Sequence, residues 1–119
     1  MRKTVVIGAS ENPERYAYRA TMALQRKDHE VVPVGLREGM INGIKILAGK
    51  PEIKDVETVT LYVGPQNQPA WYDYIISLKP QRVIFNPGTE NPEFENMLRK
   101  NNIEAVEACT LVMLSIGNY

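Results

Sequence analysis

The residues of this chain with the clearest chemical potential follow its first apolar run, residues 4–7. Gly8 comes directly after that run, and Ser10 stands two residues later. A glycine at this point permits a tight turn and lets a ligand approach the backbone closely. Asn12 and Pro13 then stand in the order typical of the N-cap and the first position of a helix. Because a helix N-terminus presents unpaired N–H groups and the positive end of a dipole, this turn suits a phosphate group.

Two interpretations of this turn are open. In the first, the Ser10 hydroxyl joins the backbone in binding a phosphate, and Tyr16 lies close enough to touch the ligand. In the second, the segment is a well-capped strand–helix turn without a ligand. The spacing departs from the G-x-G-x-x-G fingerprint, because Ser10 and Pro13 take the places of its second and third glycines. The candidate residues of this turn are Gly8, Ala9, Ser10, Asn12, Arg15 and Tyr16.

A basic residue marks the turn after the second predicted strand. That strand ends at Val34 and Gly35, and Arg37 follows. In a site for NAD an acidic residue at this point bonds to the adenosine ribose, whereas Arg37 favours a phosphate on that ribose. Such a phosphate is the 2′-phosphate of NADP or the 3′-phosphate of coenzyme A. The alternative is that Arg37 is a solvated loop charge.

A third candidate turn has the sequence Asn86-Pro87-Gly88 and stops the fourth predicted strand. Gly88 and the side chains of Thr89 and Asn91 could meet a ligand at the same edge of the sheet. The other interpretation is structural, since Asn91 precedes a proline at the start of a predicted helix and reads as its N-cap.

The sequence offers little for catalysis or for a metal. Its single histidine, His29, is expected on a surface loop at the opposite edge of the sheet, and no Ser/His/Asp set, P-loop lysine motif or metal-ligand spacing is present. The single cysteine, Cys109, reads as a small buried apolar residue, with a thiol near the ligand crevice as the alternative. With 14 basic and 14 acidic residues, the chain lacks the basic excess that nucleic-acid binding rewards.

The elements that must position these turns alternate along the chain. Predicted strands are the short apolar runs at residues 4–7, 31–34, 58–63, 82–85 and 103–106. Predicted helices cover residues 15–27, 69–78 and 92–101. This order is typical of βαβ units. We therefore predict an α/β, Rossmann-like doubly wound, mainly parallel five-stranded sheet with helices on both faces, a three-layer α/β/α architecture, whose crevice lies at the carboxyl ends of the strands.

Two segments are less regular. Residues 36–56 are punctuated by glycines around one apolar stretch, Ile44–Leu47, and we expect an irregular excursion or a weak extra strand there, with room for a turn of helix. The apolar tail, residues 110–119, favours neither helix nor strand. Its run Leu111–Leu114 would suit a homodimer or a partner protein, although burial in the chain's own core is favoured.

Length and composition limit the class of protein. The chain has 119 residues, 44% of them hydrophobic and 24% charged, which is typical of one soluble globular domain; we expect residues 1–119 to form that domain. No run reaches the ~18 apolar residues of a membrane span, and the first apolar run is too short for a signal peptide. The expected location is cytoplasmic.

With these residues in view, the sequence resembles the small stand-alone CoA-binding domain proteins. These are Rossmann-like and similar to the N-terminal domain of the succinyl-CoA synthetase alpha subunit and of ADP-forming acyl-CoA synthetases. The order and spacing of the motifs correspond over essentially the whole chain. The residues that carry the resemblance are Val5 to Pro13, Tyr16, Arg19, Glu30 to Gly35, Ile41 to Gly43, Asn86 to Gly88 and Ile103 to Cys109.

The resemblance implies non-covalent binding of coenzyme A. Residues 8–10 and the helix start after them would meet the pyrophosphate. The residues that would meet the 3′-phosphorylated ribose are Pro33, Val34, Gly35 and Arg37.

For the rest of the ligand, the resemblance implies that Val63 and Gly64 lie beside the adenine. Asn86, Pro87 and Gly88 would face the pantetheine. The nucleotide-grasp and phosphohistidine domains of the synthetases are not part of this sequence. The resemblance therefore implies a non-catalytic module that binds coenzyme A or an acyl-CoA as a carrier, a sensor or a regulatory element.

Two other functions are open. The first is the NADP-binding half of an oxidoreductase, against which stand the short length and the lack of a proton donor. The second is a vestigial Rossmann domain that serves as a protein-interaction module.

Overall fold

Strands and helices alternate along the chain, and the computed structural model describes residues 3–119. Within that part, seven strands form one sheet: β1 (Lys3–Ile7), β2 (Glu30–Gly35), β3 (Gly39–Ile41), β4 (Ile44–Ala48), β5 (Val56–Leu61), β6 (Arg82–Phe85) and β7 (Glu104–Glu107). The α-helices of the same part are α1 (Tyr16–Arg26), α2 (Tyr72–Ser77), α3 (Pro92–Lys100) and α4 (Thr110–Ser115). Two short 3-10 turns, Pro65–Asn67 and Pro69–Trp71, precede α2.

The strand order in the sheet is β3-β4-β2-β1-β5-β6-β7. Neighbouring strands are parallel except for the antiparallel pair β3 and β4 at one edge. From β1 the chain builds outward first through β2 and then, on the other side, through β5. The direction of winding therefore reverses beside β1, and a crevice is expected at the carboxyl ends of β1 and β5. The predicted doubly wound, mainly parallel sheet is confirmed.

The sheet has seven strands rather than the predicted five. The prediction of a weak extra strand at Ile44–Leu47 is confirmed as β4, and β3 pairs with it to form a hairpin. Asn42 and Gly43 form the turn of this hairpin, with φ of 47° and 83°. An Asn-Gly pair favours such turns because both central residues must adopt a positive φ. The second extra strand, β3, is therefore also indicated by the sequence.

Both faces of the sheet are covered. Along β1, the side chains of Val5 and Ile7 enter the core beneath α2 and α3, while Val6 points to the opposite core beneath α1 and α4. This alternation follows from the two-residue period of a strand. Because β1 is central, it is buried on both sides, which explains its continuous apolar sequence. The predicted three-layer α/β/α architecture is confirmed.

The apolar tail forms α4 and ends against the sheet. Met113 and Leu114 are buried, whereas Val112 and Ile116 are exposed. Tyr119 then packs at the amino-terminal edge, where the Arg82 guanidinium lies 4.6 Å from the centroid of its ring. Burial in the chain's own structure is thus confirmed for half of the tail.

The connection from β4 to β5, residues 49–55, crosses the sheet without a helix. Ile53 packs against the core, and the Tyr74 hydroxyl of α2 donates a hydrogen bond to the carbonyl oxygen of Pro51. The connection is irregular, as predicted, and the turn of helix allowed for residues 36–56 does not form. Among residues 3–119, no helix is both long and apolar enough to cross a membrane.

Candidate functional site

The loop between β1 and α1 is fixed on the end of β2. The backbone N–H groups of Gly8 and Ala9 both donate to the carbonyl oxygen of Val34, at 3.0 and 2.9 Å. On the other side, the N–H of Tyr62 donates to the carbonyl oxygen of Ile7 at 2.9 Å. The loop therefore spans the ends of three adjacent strands at the point where the winding reverses. The N–H groups of Gly8 and Ala9 are therefore already hydrogen-bonded within the chain.

Two glycines allow this close packing. Gly8 has a φ of 97°, and a Cβ there would lie 2.6 Å from the carbonyl oxygen of Tyr62. A Cβ on Gly35 would lie 2.4 Å from the carbonyl oxygen of Ala9. Both distances are far shorter than a van der Waals contact, and the atoms met are backbone atoms that cannot swing away. Gly8 and Gly35 are therefore needed first of all because neighbouring backbone segments pack closely against them.

A separate turn precedes α1. The Oδ1 atom of Asn12 accepts a hydrogen bond from the N–H of Glu14 at 3.0 Å, and the N–H of Arg15 donates to the carbonyl oxygen of Asn12 at 3.0 Å. The helix begins at Tyr16 with Arg15 as its N-cap. The prediction that Asn12 and Pro13 open the helix is wrong. Their residue types suit the first two positions of a β-turn as well as they suit a helix start, and the turn is what forms.

Four backbone donors of this region have no internal acceptor. Within residues 3–119, the N–H groups of Ser10, Glu11, Tyr16 and Ala17 make no hydrogen bond. The first turn of α1 contains no acidic residue, so no side chain there offsets the positive end of the helix dipole. The Ser10 hydroxyl accepts from the N–H of Asn12 at 3.1 Å and retains its own proton for donation. Such an array of donors can bind a phosphate.

Two exposed side chains stand at the start of α1. Arg15 is exposed, and Tyr16 is 63% exposed. The guanidinium of Arg19 lies 5.3 Å from the centroid of the Tyr16 ring, a cation–π contact. Both predicted residues are thus accessible beside the free N–H groups.

The predicted residues of β2 differ sharply in accessibility. Pro33, Val34 and Gly35 are buried, and the carbonyl oxygen of Val34 is occupied by the loop. Pro33, which has no N–H, lies outside the short ladder that pairs β4 with Val34 and Gly35. Arg37 is exposed, and in the described part of the chain its guanidinium has no hydrogen bond or ion pair. Of these four residues, Arg37 has the side chain best placed to reach a ligand.

The loop after β5 is held from below by a buried glutamine. Val63 and Gly64 are half-buried at the start of this loop. Gln68 is fully buried, and its Nε2 atom donates to the carbonyl oxygens of Val63 at 2.8 Å and of Thr89 at 2.7 Å. Its Oε1 atom accepts from Nδ2 of Asn91 at 2.9 Å. Gln68 therefore joins the loops that follow β5 and β6.

Asn86 is the centre of a second buried network. Its Nδ2 atom donates to the Thr60 hydroxyl at 2.7 Å and to the carbonyl oxygen of Leu61 at 2.9 Å, and its Oδ1 atom accepts from the N–H of Thr110 at 2.9 Å. The hydroxyls of Thr60 and Thr110 are 2.7 Å apart. Asn86 is 2% exposed. Its side chain is thus committed to joining β5, β6 and α4.

The rest of the Asn-Pro-Gly turn is accessible. Pro87 and Gly88 are exposed, and Gly88 has a φ of 92°, which favours glycine. The N–H of Gly88 donates to the Glu90 carboxylate at 2.9 Å. This turn can meet a ligand through its backbone and the proline ring.

The capping interpretation of Asn91 is confirmed. It is the N-cap of α3, and its Oδ1 atom accepts from the N–H of Phe94 at 3.2 Å. Its Nδ2 atom also donates to the Tyr72 hydroxyl at 2.8 Å. The Thr89 hydroxyl donates to the carbonyl oxygen of Asn86 at 2.8 Å. Both side chains are buried, and their hydrogen bonds shape the turn.

Cys109 follows β7 and is the half-buried N-cap of α4. Tyr62, directly after β5, is half-buried and packs against the core beneath α1 and α4. Burial raises the pKa of Tyr62 well above its usual value. Tyr62 therefore acts as a neutral packing group in this core.

Sequence reasoning missed the polar residues that hold this edge together: Thr60, Gln68, Thr110 and, across the first loop, Glu11. The carboxylate of Glu11 accepts a hydrogen bond from the backbone N–H of Met40 at 3.0 Å. Thr60, Gln68 and Thr110 stand in no recognisable motif, whereas Glu11 belongs to the segment Val5 to Pro13 that carries the resemblance. The one available signal is the set of threonines at alternate positions 58 and 60 of a predicted buried strand, which indicates a polar stripe that needs partners.

Proteins of known structure share this fold. An uncharacterized protein is 53% identical, with a TM-score of 0.97, over 100% of this chain and 98% of that chain. A conserved hypothetical protein from Pyrococcus furiosus is 28% identical, with a TM-score of 0.82, over 94% and 98% of the two chains. A protein from Thermus thermophilus is 22% identical, with a TM-score of 0.86 over 99% and 90%, and shows the fold alone. No match to a curated protein was found.

A match to a protein family identifies the chain more closely than the shared fold does. Residues 2–115 match the family described as the CoA binding domain. The match covers nearly the whole chain, including every turn at the carboxyl edge of the sheet. The resemblance drawn from the sequence is confirmed, and the chain belongs to the CoA-binding domain family.

Proposed function

We propose that this chain binds coenzyme A, or an acyl-CoA, non-covalently at the carboxyl ends of its parallel strands. The observation that carries the proposal is the match of residues 2–115 to the CoA-binding domain family. We further propose that residues 1–119 act as a single binding domain. The geometry of the carboxyl edge supports both statements.

The pyrophosphate fits the loop between β1 and α1. The free N–H groups of Ser10, Glu11, Tyr16 and Ala17 are the type of donor that phosphate oxygens accept from. The Ser10 hydroxyl adds a donor. In this proposal, Gly8 and Ala9 form the floor of the site and Arg15 stands at its rim. Because the chain has no net charge, this local array must supply the attraction.

The phosphorylated ribose fits the end of β2. Arg37 is exposed and has no internal partner within residues 3–119. A guanidinium binds a phosphate through two parallel N–H donors. Pro33, Val34 and Gly35 would then act by fixing the start of the Arg37 loop.

The adenine and the pantetheine would lie at the carboxyl ends of β5 and β6, respectively. The half-buried Val63 and Gly64 offer an apolar edge beside the adenine. Pro87 and Gly88 would face the pantetheine, with Asn86 holding their turn from below. All the groups proposed here bind and orient; none is placed as a general acid or base. The proposed role is therefore a carrier, sensor or regulatory module, acting on CoA without transforming it.

A second candidate is NADP binding as part of an oxidoreductase. It is favoured by one observation, since an exposed arginine at the end of β2 suits the 2′-phosphate of NADP as well as the 3′-phosphate of coenzyme A.

Calorimetric titration of the reduced protein with CoA, dephospho-CoA, NADP and NAD tests the proposal. We expect micromolar binding of CoA that weakens without the 3′-phosphate. Preference for NADP over NAD with indifference to CoA would support the second candidate. Binding of none of the four would refute both and favour the interaction module.

A further inference from the structure

One acidic side chain joins the loop between β1 and α1 to the hairpin of β3 and β4. Glu11 belongs to the loop between β1 and α1, and its Oε2 atom accepts a hydrogen bond from the backbone N–H of Met40, the second residue of β3, at 3.0 Å. The stem of Glu11 lies flat against β3, because a Cβ on Gly39 would be 2.5 Å from both its Cγ and Cδ atoms. The carboxylate therefore lies across the gap between the loop and the hairpin.

This contact is held on the surface. Glu11 is exposed and Met40 is 57% exposed. A hydrogen bond in such surroundings is readily exchanged for one to water or to another acceptor. The Met40 N–H therefore remains available to any stronger acceptor that reaches it.

The charges around the contact favour a larger anion. Arg37 lies in the short connection between β2 and β3 and has no ion pair within the described residues, including none with Glu11. The free N–H groups of Ser10 and Glu11 belong to the loop between β1 and α1, which also carries the Glu11 side chain. Glu38, next to Arg37, is exposed and makes no ion pair with it within residues 3–119. The carboxylate that occupies one of these donors, the Met40 N–H, is that of Glu11. A phosphate monoester carries more charge and more acceptor oxygens than a carboxylate.

We propose that Glu11 is a displaceable internal occupant of an anion subsite formed by the Met40 N–H and the Arg37 guanidinium, and that the ribose phosphate of the ligand must expel it. The proposal rests on the proposed function and specifies how its site selects a ligand. A ligand with a phosphate on the adenosine ribose takes over the Met40 N–H. A ligand without that phosphate leaves Glu11 in place.

The variant that isolates the charge is Glu11→Gln, because its amide oxygen can still accept from Met40. Glu14→Gln is the matched control, since Glu14 is an exposed glutamate of the same loop whose side chain makes no hydrogen bond in the described part. Removing a repelling carboxylate at a solvent-exposed site should tighten binding of CoA by about three- to tenfold. The gain should shrink as salt is raised.

Affinities for CoA and dephospho-CoA would be measured by calorimetry for the wild-type protein and both variants. We expect a gain in CoA affinity for Glu11→Gln that exceeds the gain for Glu14→Gln, and equal small changes for dephospho-CoA. Equal gains from the two variants, a loss of affinity in Glu11→Gln, or the same gain with dephospho-CoA would each overturn the inference while leaving CoA binding intact. Binding of neither ligand by any of the proteins would overturn the proposed function and the inference together.

A second readout follows the displaced hydrogen bond itself. In the wild-type protein, the backbone amide resonance of Met40 should shift on addition of CoA and keep its position with dephospho-CoA. A Met40 resonance that responds to both ligands alike would contradict the exchange of partners, whatever the affinities show.

Discussion

The side-chain amide of Gln68 donates a 2.7 Å hydrogen bond to the carbonyl oxygen of Thr89, 21 residues further along the chain. This bond ties the loop after β5 to the loop after β6, beneath the positions proposed for the adenine and the pantetheine. Gln68 is fully buried. If its amide were removed, water could not readily take its place as the donor to these carbonyl oxygens. A fully buried side chain therefore joins two of the loops at the carboxyl edge of the sheet.

Gln68→Ala should destabilise the protein by about 2–4 kcal/mol, because it leaves buried carbonyl oxygens without a donor. Urea-induced unfolding measures the change in the free energy of unfolding. Gln66→Ala, at an exposed glutamine of the same loop, is the control and should cost far less. Equal stability of the two variants would show that the Gln68 bonds contribute nothing net.

Gly35→Ala should weaken both folding stability and CoA binding. The new methyl group would meet the carbonyl oxygen of Ala9 at 2.4 Å, so the loop between β1 and α1 must move away from β2, at a cost of about 1–3 kcal/mol. Thermal unfolding and calorimetry measure the two effects. Gly64→Ala is the control for stability, because the methyl group there meets the flexible end of the Gln66 side chain. A Gly35→Ala protein with unchanged stability would contradict the close approach.

Arg37→Ala should remove most of the preference for CoA over dephospho-CoA. A hydrogen bond to a charged group contributes about 1.5–3 kcal/mol, which corresponds to a loss of roughly 10–150-fold in CoA affinity. Dephospho-CoA should bind both proteins equally. Arg26→Ala removes an exposed arginine from the far end of α1 and should leave the preference intact. Calorimetry with both ligands gives the ratio directly, and an unchanged ratio would show that another residue reads the phosphate.

Tyr62→Phe should make the protein less sensitive to alkaline pH. Burial raises the pKa of Tyr62 in the folded state, so above about pH 10, the ordinary tyrosine value, the unfolded chain releases a proton that the folded chain retains. The folded state binds more protons there, and the free energy of unfolding must fall as the pH rises. Urea unfolding between about pH 9 and 11 measures this slope.

Tyr16→Phe, at an exposed tyrosine, is the matched control for that experiment. We expect the slope to be shallower in Tyr62→Phe than in the control. If both variants keep the wild-type slope, the alkaline loss of stability comes from other groups.

Local sequence signals account for most of the fold. The β-branched run of β1, the Asn-Pro pair before α3 and the Asn42-Gly43 turn each specify their element through backbone preferences that act within a few residues. The start of α1 shows the limit of such signals. Asn12 and Pro13 suit a helix start and a β-turn equally well, and hydrogen bonds of the completed loop select the turn.

The sequence by itself determined the alternation of strands and helices, the parallel sheet and the edge at which its candidate turns meet, because hydrophobic periodicity and turn residues act locally. Only the tertiary structure decided what each turn residue does. Asn86 and Arg37 both follow a strand, yet the first is buried in a network with Thr110, 24 residues away, and the second is exposed and without an internal partner within residues 3–119. Burial and long-range hydrogen bonds depend on which segments the fold brings together. The spacing of residues along the chain does not reveal these tertiary contacts.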